Sequence, residues 1–544
     1  MKGVKHPVLI REIGHPFYLF KDLSQIFKFK GDSFSENQVV AVKRINFYLL
    51  LIIAAAIILR CQGFFNPLLD KHSWRQTDTA SVAYNYYASG MNIFQPRLSV
   101  LPEIRELEFH LYPYTVAIFY KLFGFNEVWG RMVSILCGLG TLWFIFLLTK
   151  RYFNESAALY AAFFWASSPM AVFYNRAFLP ESMMLVCSAA GMYWFFRWSE
   201  AGKTWPMLVA GGLISCAILI KPTSLYLALP IGYVLWQKHG KKIFSRSPVY
   251  LFGLLVLVAP VLWYAYQHQL FKTSSWGTSI FDIGKDKWFN KSILLNPDFY
   301  QKVWLQYLGE QYFAFTGYGF LFVGWVVKLP EKAKVFGIWM WAVFAYIIII
   351  AVGNYAHDYY QMVILIPGAV LVGRGSEYCL EKTSKLRNPL AWLLTIAAIA
   401  WLPVCGYIKS ISWINFDITY QLAGESLADA SQKQDLALVV SDGEPEVLYY
   451  AHRKGWHLER HKYSLDWVNW YIPQGVKFVV VKGKERKDLT RLPRDYFLVE
   501  KSITSKDQST IDELRKYFVP VKQTKWFWIF RTDIPNIVTQ QAIK

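Results

Sequence analysis

Charge is scarce in this chain of 544 residues. Asp, Glu, Lys and Arg make up 18% of it, where a soluble globular domain carries roughly 25%, and 54% of the residues are hydrophobic. That balance excludes a water-soluble protein of two or three domains. Acid is scarcer still: 38 Asp and Glu face 58 Lys and Arg, a formal net charge of +20. In a soluble protein such an excess would point to nucleic acid. Here the basic residues stand in short clusters between long apolar runs, as the cytoplasmic loops of membrane proteins do, and nucleic acid is set aside. Cysteine is also rare, six in all. Cys137, Cys187 and Cys216 lie inside apolar runs and none follows Cys405, so no disulfide framework is expected. Polar residues and scattered Lys and Arg precede the first apolar run, which is not the pattern of a signal peptide. No Gly-rich phosphate loop, zinc-ligand spacing, Ser/His/Asp order or internal repeat stands out.

What the chain does have is aromatic surface and apolar length. Phe, Trp and Tyr reach 18%, with 23 Trp and 34 Tyr, the amphipathic rings that collect at membrane interfaces. Mean hydropathy is +0.22. A span needs about 20 apolar residues, fewer where the bilayer thins. Apolar runs of that kind occur at 45–59, 129–149, 155–173, 183–198, 206–220, 223–236, 249–267, 305–327, 335–353, 360–372 and 389–408. A shorter stretch, 112–124, carries Lys121. If it lies in the interface or dips in and out, Lys150-Arg151, Arg197 to Lys203, Lys238 to Arg246, Lys328 to Lys334 and Arg374 to Arg387 all fall on the side of the N-terminus. The positive-inside rule then makes that side cytoplasmic. The expectation is a polytopic α-helical membrane protein of about eleven spans, with 206–220 and 223–236 either two short helices meeting at Lys221-Pro222 or one kinked span.

From about 425 the pattern changes. DLALVVSDG reads as a buried strand and turn, EPEVLYYAHRKG as a helix ending at Gly455, VKFVVVKG as a second strand, IDELRKYF as a helix and KWFWIFRT as a last strand. The domain expectation is therefore a cytoplasmic segment 1–44, a membrane domain 45–424, and a small extracytoplasmic α/β domain 425–544.

The same topology gathers a particular set of residues on the outer side. The first outer loop holds HSWRQTDTA, with Arg75 and Asp78, then ELEFHLYPY, with Glu108, His110 and Tyr112. A second outer turn, YNRAFLPES, carries Arg176 and Glu181. Lys221-Pro222 follows, then the loop 268–303 with Lys272, Trp276, Asp282, Lys285 and Trp288, and then NYAHDYYQM with His357, Tyr359 and Tyr360. Ionisable groups at span ends are costly and are more often functional than decorative. Acids and cations together suit a reaction that needs a base and a phosphate clamp.

An Asp after a Trp-Arg pair in a long first outer loop, a Glu ahead of a Tyr-Pro step, an Arg…Pro-acid turn and a Lys-Pro break together resemble the GT-C membrane glycosyltransferases. The branch with protein O-mannosyltransferases and the lipid A aminoarabinose transferase is the most similar. The resemblance covers residues 45 to about 370 and rests on the order and common side of these features. It implies a bacterial inner-membrane enzyme that takes a sugar from a polyprenyl-phosphate carrier and gives it, with inversion, to a glycan, lipid or protein acceptor outside the cytoplasm.

By the same resemblance Asp78 is the first-loop acid, which accepts or orients the proton of the acceptor hydroxyl; read alone, it is equally an N-cap for the helix that follows. Glu181 is the second acid, holding Arg176 or sharing the site with Asp78, or else simply a first-turn Glu favoured by the helix dipole. Glu108 precedes the Tyr-Pro step, with His110 where the aminoarabinose enzyme has a Lys nearby. Lys221 meets the carrier phosphate or snorkels to the interface. Arg75, Tyr112, Arg176, His357, Tyr359 and Tyr360 complete the expected substrate contacts. A divalent cation is possible, and these residues do not demand one. A flippase for lipid-linked glycans, or a glycan polymerase or ligase, is the alternative; a flippase would show repeated halves and charges buried mid-span, and neither is seen.

Overall fold

A computed structural model describes residues 36–102, 108–274, 288–386, 388–483, 485–491 and 497–535. The chain divides into two compact units, Met1–Tyr48 and Leu49–Lys544. Of the first, only the start of the helix Glu36–Arg60 is described. All that follows concerns the second.

Five described helices are long and apolar enough to cross a membrane: Val128–Tyr152, Ser247–Leu270, Glu331–Ile349, Tyr360–Lys385 and Pro389–Ser412. Asn46–Arg60, Thr204–Ile220 and Thr316–Val326 are apolar and shorter. The run expected over 155–173 is interrupted. Its helix Glu155–Ser167 is capped by the Asn154 side chain, which accepts from the Ala157 N–H, and it stops before Pro169, which has no N–H to continue the ladder. The run 305–327 breaks as well: a wide helical stretch Gln301–Tyr312 gives way to Thr316–Val326 through Ala314 and Phe315, both at positive φ.

Where helices Thr316–Val326 and Leu365–Lys385 cross, their backbones touch. A Cβ on Gly324 would stand 1.9 Å from the Leu371 carbonyl oxygen, and one on Gly375 would stand 1.9 Å from that of Phe320. Small residues at such a crossing let dispersion do what hydrophobicity cannot do inside a bilayer.

The helices sort their polar ends. At one end Arg151 pairs with Glu200, the Lys238 ammonium reaches the Ser199 carbonyl, Asn154 meets Glu377, and Arg374 pairs with Glu377 at 2.7 Å. The Lys238 contact decides a local question. It returns the end of helix Ala228–His239 to the foot of Glu181–Ala201, close to where Thr204–Ile220 begins. The chain therefore reverses at Lys221-Pro222, as two short helices.

Helix Leu111–Phe123 occupies the ambiguous stretch and packs on Ser73–Ser89. The C-terminal layer is a five-stranded sheet of order β2-β1-β3-β7-β6. Its strands are β1 (Leu436–Ser441), β2 (Lys454–Glu459), β3 (Val476–Lys482), β6 (Phe518–Gln523) and β7 (Phe527–Pro535). β1 runs parallel to β2 and β3, while β7 is antiparallel to β3 and β6. A separate hairpin joins β4 (Glu485–Arg491) and β5 (Phe497–Ser502). Both faces of the central strands are covered, which is why they read as continuous apolar runs. Ala437, Val439, Phe478 and Val480 pack beneath helices Thr419–Ala430 and Glu446–Ala451, whereas Leu438, Val440, Val479 and Val481 pack against Ile511 and Leu514.

The helix expected to end at Gly455 instead covers Glu446–Ala451 and stops at His452, in the left-handed region at φ 50°. Gly455 belongs to β2. There a Cβ would meet the Ala437 carbonyl oxygen at 1.8 Å, so this glycine serves close strand approach rather than helix termination.

Candidate active site

At the end of the bundle opposite the Arg151–Glu200 pair, five side chains alternate in charge. Asp78 Oδ2 lies 3.7 Å from Arg75, Arg75 lies 3.3 Å from Glu108 Oε2, Lys221 lies 3.7 Å from Glu108 Oε1, and Lys221 Nζ stands 2.9 Å from Glu181 Oε1. A small cavity is lined by Arg75, Asp78, Glu108 and His110 together with Pro180 and Ile220. It draws together three stretches that are distant in sequence.

Local sequence explains each placement. The helix Ser73–Ser89 starts at His72, held at φ 59° without a side-chain cap. Asp78 is therefore in the second turn and is no N-cap. Arg75 and Asp78 are three apart, which puts both on one helix face. Glu181 opens the helix Glu181–Ala201 behind Pro180, where the dipole favours a carboxylate. Lys221 ends the helix Thr204–Ile220 in extended conformation (φ −148°, ψ 112°) because Pro222 comes next. The Phe109 N–H donates to the Leu219 carbonyl at 2.9 Å, which seats Glu108 and His110 beside that helix end.

Lys221 is held hard. Its side chain is 11% exposed and that of Glu181 only 2%. Burial works against the ammonium, but Glu108 and Glu181 outweigh it and keep the group well above the ordinary lysine range. Burial pushes the His110 imidazole down to about 4, with Glu108 only partly offsetting it. His110 is accordingly neutral near pH 7 and adds no charge to the site. The rings of Tyr359 and Tyr360 both lie 5.6 Å from Lys221 Nζ. His357 stands beside them, at 5.4 Å and 5.1 Å between centroids, with Trp74 beyond at 6.3 Å.

Asp358 ties the 357–360 turn to the first loop. It receives Lys71 at 2.5 Å, His72 Nε2 at 2.9 Å and the Tyr174 hydroxyl at 2.7 Å. Burial alone would raise its carboxyl, and His72 and Lys71 override that to hold it well below the usual range.

Two expected substrate contacts stand apart from this cluster. Arg176 does not reach Glu181; it donates to Asp70 at 2.7 Å and to the Gly63 carbonyl at 3.1 Å, where Arg131 also approaches Asp70 at 3.4 Å. All three side chains are fully buried. Tyr112, likewise buried, donates to the Gly130 carbonyl at 2.8 Å and lies 3.0 Å from Ser134 Oγ. Of the loop 268–303, Trp288 is exposed and Trp276, Asp282 and Lys285 lie outside the described residues.

Comparison with known proteins meets this geometry at the level of the fold. Residues 110–264 match the family described as dolichyl-phosphate-mannose-protein mannosyltransferase. The crystal structure of ArnT from Cupriavidus metallidurans bound to undecaprenyl phosphate is similar over 89% of this chain and 98% of its own, at 12% identity and a TM-score of 0.61. The chain has the GT-C glycosyltransferase fold. The apo oligosaccharyltransferase of Archaeoglobus fulgidus is similar over 80% of this chain and 69% of its own, with 12% identity and a TM-score of 0.52. No curated protein matches the chain in sequence.

The family-matched stretch includes His110, Glu181 and Lys221, while Arg75, Asp78 and Glu108 precede it. Among the described residues no three His, Cys, Asp or Glu side chains converge to hold a metal ion. Each of the three site carboxylates faces a cation of the protein instead. Sequence reasoning left Asp70 unassigned. Its only signal was an acid four residues ahead of the Trp-Arg pair.

Proposed function

We propose that this protein transfers a sugar from a polyprenyl-phosphate carrier to a hydroxyl acceptor on the extracytoplasmic face. One observation carries the reading: within a GT-C fold, Asp78, Arg75, Glu108, Lys221 and Glu181 form a chain of alternating charge at one bundle end, and Arg75, Asp78 and Glu108 of that chain line a cavity. Displacement at an anomeric carbon needs cations for the leaving phosphate and a base for the incoming hydroxyl. Lys221 and Arg75 supply the cations. Glu108 is the carboxylate that can yield to a phosphate: it is 24% exposed and 3.7 Å from Lys221, whereas Glu181 stays buried and keeps the ammonium aimed. Asp78, charged beside Arg75, receives or orients the acceptor proton. Phosphate is already a good leaving group, so positioning and charge do most of the work.

The apolar chain of the carrier has a place to lie. Leu225, Leu229 and Trp236, on the short segment after Lys221, expose apolar surface that a lipid tail can cover. Sidedness follows from the basic clusters. Lys150-Arg151, Lys238 and Arg374 share one bundle end, and the positive-inside rule makes it cytoplasmic. Eleven spans with 112–124 outside the count agree with that distribution, and they leave the cavity and the α/β domain 425–544 outside, in a bacterial inner membrane. Arg176 and Tyr112 serve the reaction through the packing behind the cavity, and His357, Tyr359 and Tyr360 line the carrier side.

The test is donor consumption. Purified protein in detergent, supplied with cell-envelope extract and radiolabelled polyprenyl-phosphate sugars one at a time, should move label from at least one carrier into a non-carrier product. Label remaining on every carrier would reject the reading.

A further inference from the structure

The helix Ser73–Ser89, which carries Arg75 and Asp78, has no N-terminal stop of its own. His72 makes no side-chain cap hydrogen bond, and no acidic residue lies in the first turn. The His72 carbonyl takes the Arg75 and Gln76 N–H groups at 2.9 Å and 3.1 Å, and the helix offers no carboxylate of its own to its positive end. Besides Asp358, which holds Lys71 and His72, a second carboxylate reaches this start from the other end of the sequence. Glu446, the first residue of helix Glu446–Ala451, is fully buried, and its Oε1 accepts from the Ser73 hydroxyl at 2.6 Å.

The same short segment holds the loop at three further points. Tyr84 stacks on His452 with centroids 4.1 Å apart and planes at 17°. The Leu68 N–H donates to the Tyr450 hydroxyl at 2.8 Å. At the edge of the sheet, the Leu101 N–H donates to the Gly455 carbonyl at 2.7 Å and the Gly455 N–H to that of Ser99 at 3.2 Å, so the loop adds a short parallel partner to β2. Residues 446–455 thus grip the first loop at its start, its middle and its end.

We infer that Glu446 is a positioning residue for transfer: through Ser73 the α/β domain anchors the start of the helix that presents Arg75 and Asp78, and so fixes where the Asp78 carboxylate stands. This rests on the reading of Asp78 given above. A carboxylate displaced by about 1 Å costs up to roughly 10²-fold in rate; Arg75 moves with it, while Lys221, the other carrier cation, comes from another element and stays in place. The role should therefore show mainly in kcat, with a much smaller rise in the carrier KM through Arg75.

The test compares Glu446→Ala, Glu446→Gln, Ser73→Ala, Ser73→Thr and Asp78→Asn in the full-length protein, with thermal denaturation in detergent as a check on folding. Glu446→Ala and Ser73→Ala should each lower kcat by about 10²-fold, with any rise in carrier KM well below that. Their double variant should lose no more than either alone, as residues sharing one interaction do. Glu446→Gln and Ser73→Thr, which keep the hydrogen bond, should recover most of the rate. Should Glu446→Ala fail to fold, the Ser73→Ala and Ser73→Thr pair decides. Wild-type kcat in Ser73→Ala, or in a folded Glu446→Ala, beside an inactive Asp78→Asn, would overturn the positioning role alone. An active Asp78→Asn would overturn the reading beneath it.

Discussion

Lys221 Nζ stands 2.9 Å from Glu181 Oε1, and both groups are almost wholly buried. The ammonium is therefore a structural partner before it is a phosphate contact. Removing it strands a buried carboxylate, a loss worth about 3 kcal/mol. Lys221→Ala should lower the denaturation midpoint in detergent and abolish transfer together. Adding Glu181→Gln removes the stranded charge, so the double variant should regain most of the stability and none of the transfer. Transfer restored in the double variant would show that the ammonium does not meet the carrier.

Asp70, Arg131 and Arg176 form a second buried cluster, and its role is to hold the first loop against the bundle. Asp70→Asn leaves two buried guanidinium groups without their shared carboxylate and should cost about 3–5 kcal/mol. Arg176→Ala should cost less, because Asp70 keeps Arg131. Yields of folded protein after extraction would check the order. A well-folded Asp70→Asn variant would contradict it.

Glu127 sits just ahead of the span Val128–Tyr152, facing Tyr449 and Tyr450 of the α/β domain, with Arg131 and Tyr120 nearby. Burial is the largest influence on its carboxyl and raises it to about 7, with Arg131 and the neighbouring tyrosine hydroxyls pulling the other way. The folded state thus binds this proton more tightly than the unfolded chain does. The stability it contributes is full below the ordinary carboxylate range and is lost as pH rises towards about 7. Denaturation midpoints should fall across that interval in the wild type, and Glu127→Gln should remove the slope attributable to this site. An unchanged slope in the variant would contradict the assignment.

Membrane orientation is open to single-cysteine labelling, since the six native cysteines are all free and can be replaced. A cysteine at Lys462, on the α/β domain, should react with an impermeant reagent from outside, and one at Lys242 only after the membrane is opened. The reverse pattern would invert the scheme.

The legible part of the site was its list of ionisable residues, because charge beside an apolar run is visible in any sequence. Asp78, Glu108, Glu181 and Lys221 are linked with Arg75 in one chain of ion pairs. Their pairing was not legible: Arg176 and Glu181 lie five residues apart on either side of a turn, yet the first points back to Asp70 and the second across to Lys221. Spans were legible where apolar length was unbroken, as in 129–149 and 389–408. The break at Ser168 follows from Pro169, whereas that at Ala314 and Phe315, both at positive φ, has no proline or glycine to announce it. In the α/β domain the two buried strands were plain, but β2 was hidden. Its sequence KGWHLE lacks an apolar run, and Gly455 looked like a helix stop although it is a strand glycine pressed against Ala437.

The central claim, that Asp78 serves the incoming hydroxyl, reduces to one comparison. Asp78→Asn keeps size and hydrogen bonding while removing basicity, and because Asp78 is in the second turn of its helix, no cap is lost. Release of label from the polyprenyl-phosphate sugar that wild type uses should be measured for both proteins at equal folded concentration, together with binding of the carrier. The account predicts unchanged carrier binding and a loss in transfer of at least about 10²-fold, the lower end of what a general base contributes. A folded Asp78→Asn protein that transfers sugar at close to the wild-type rate would contradict it.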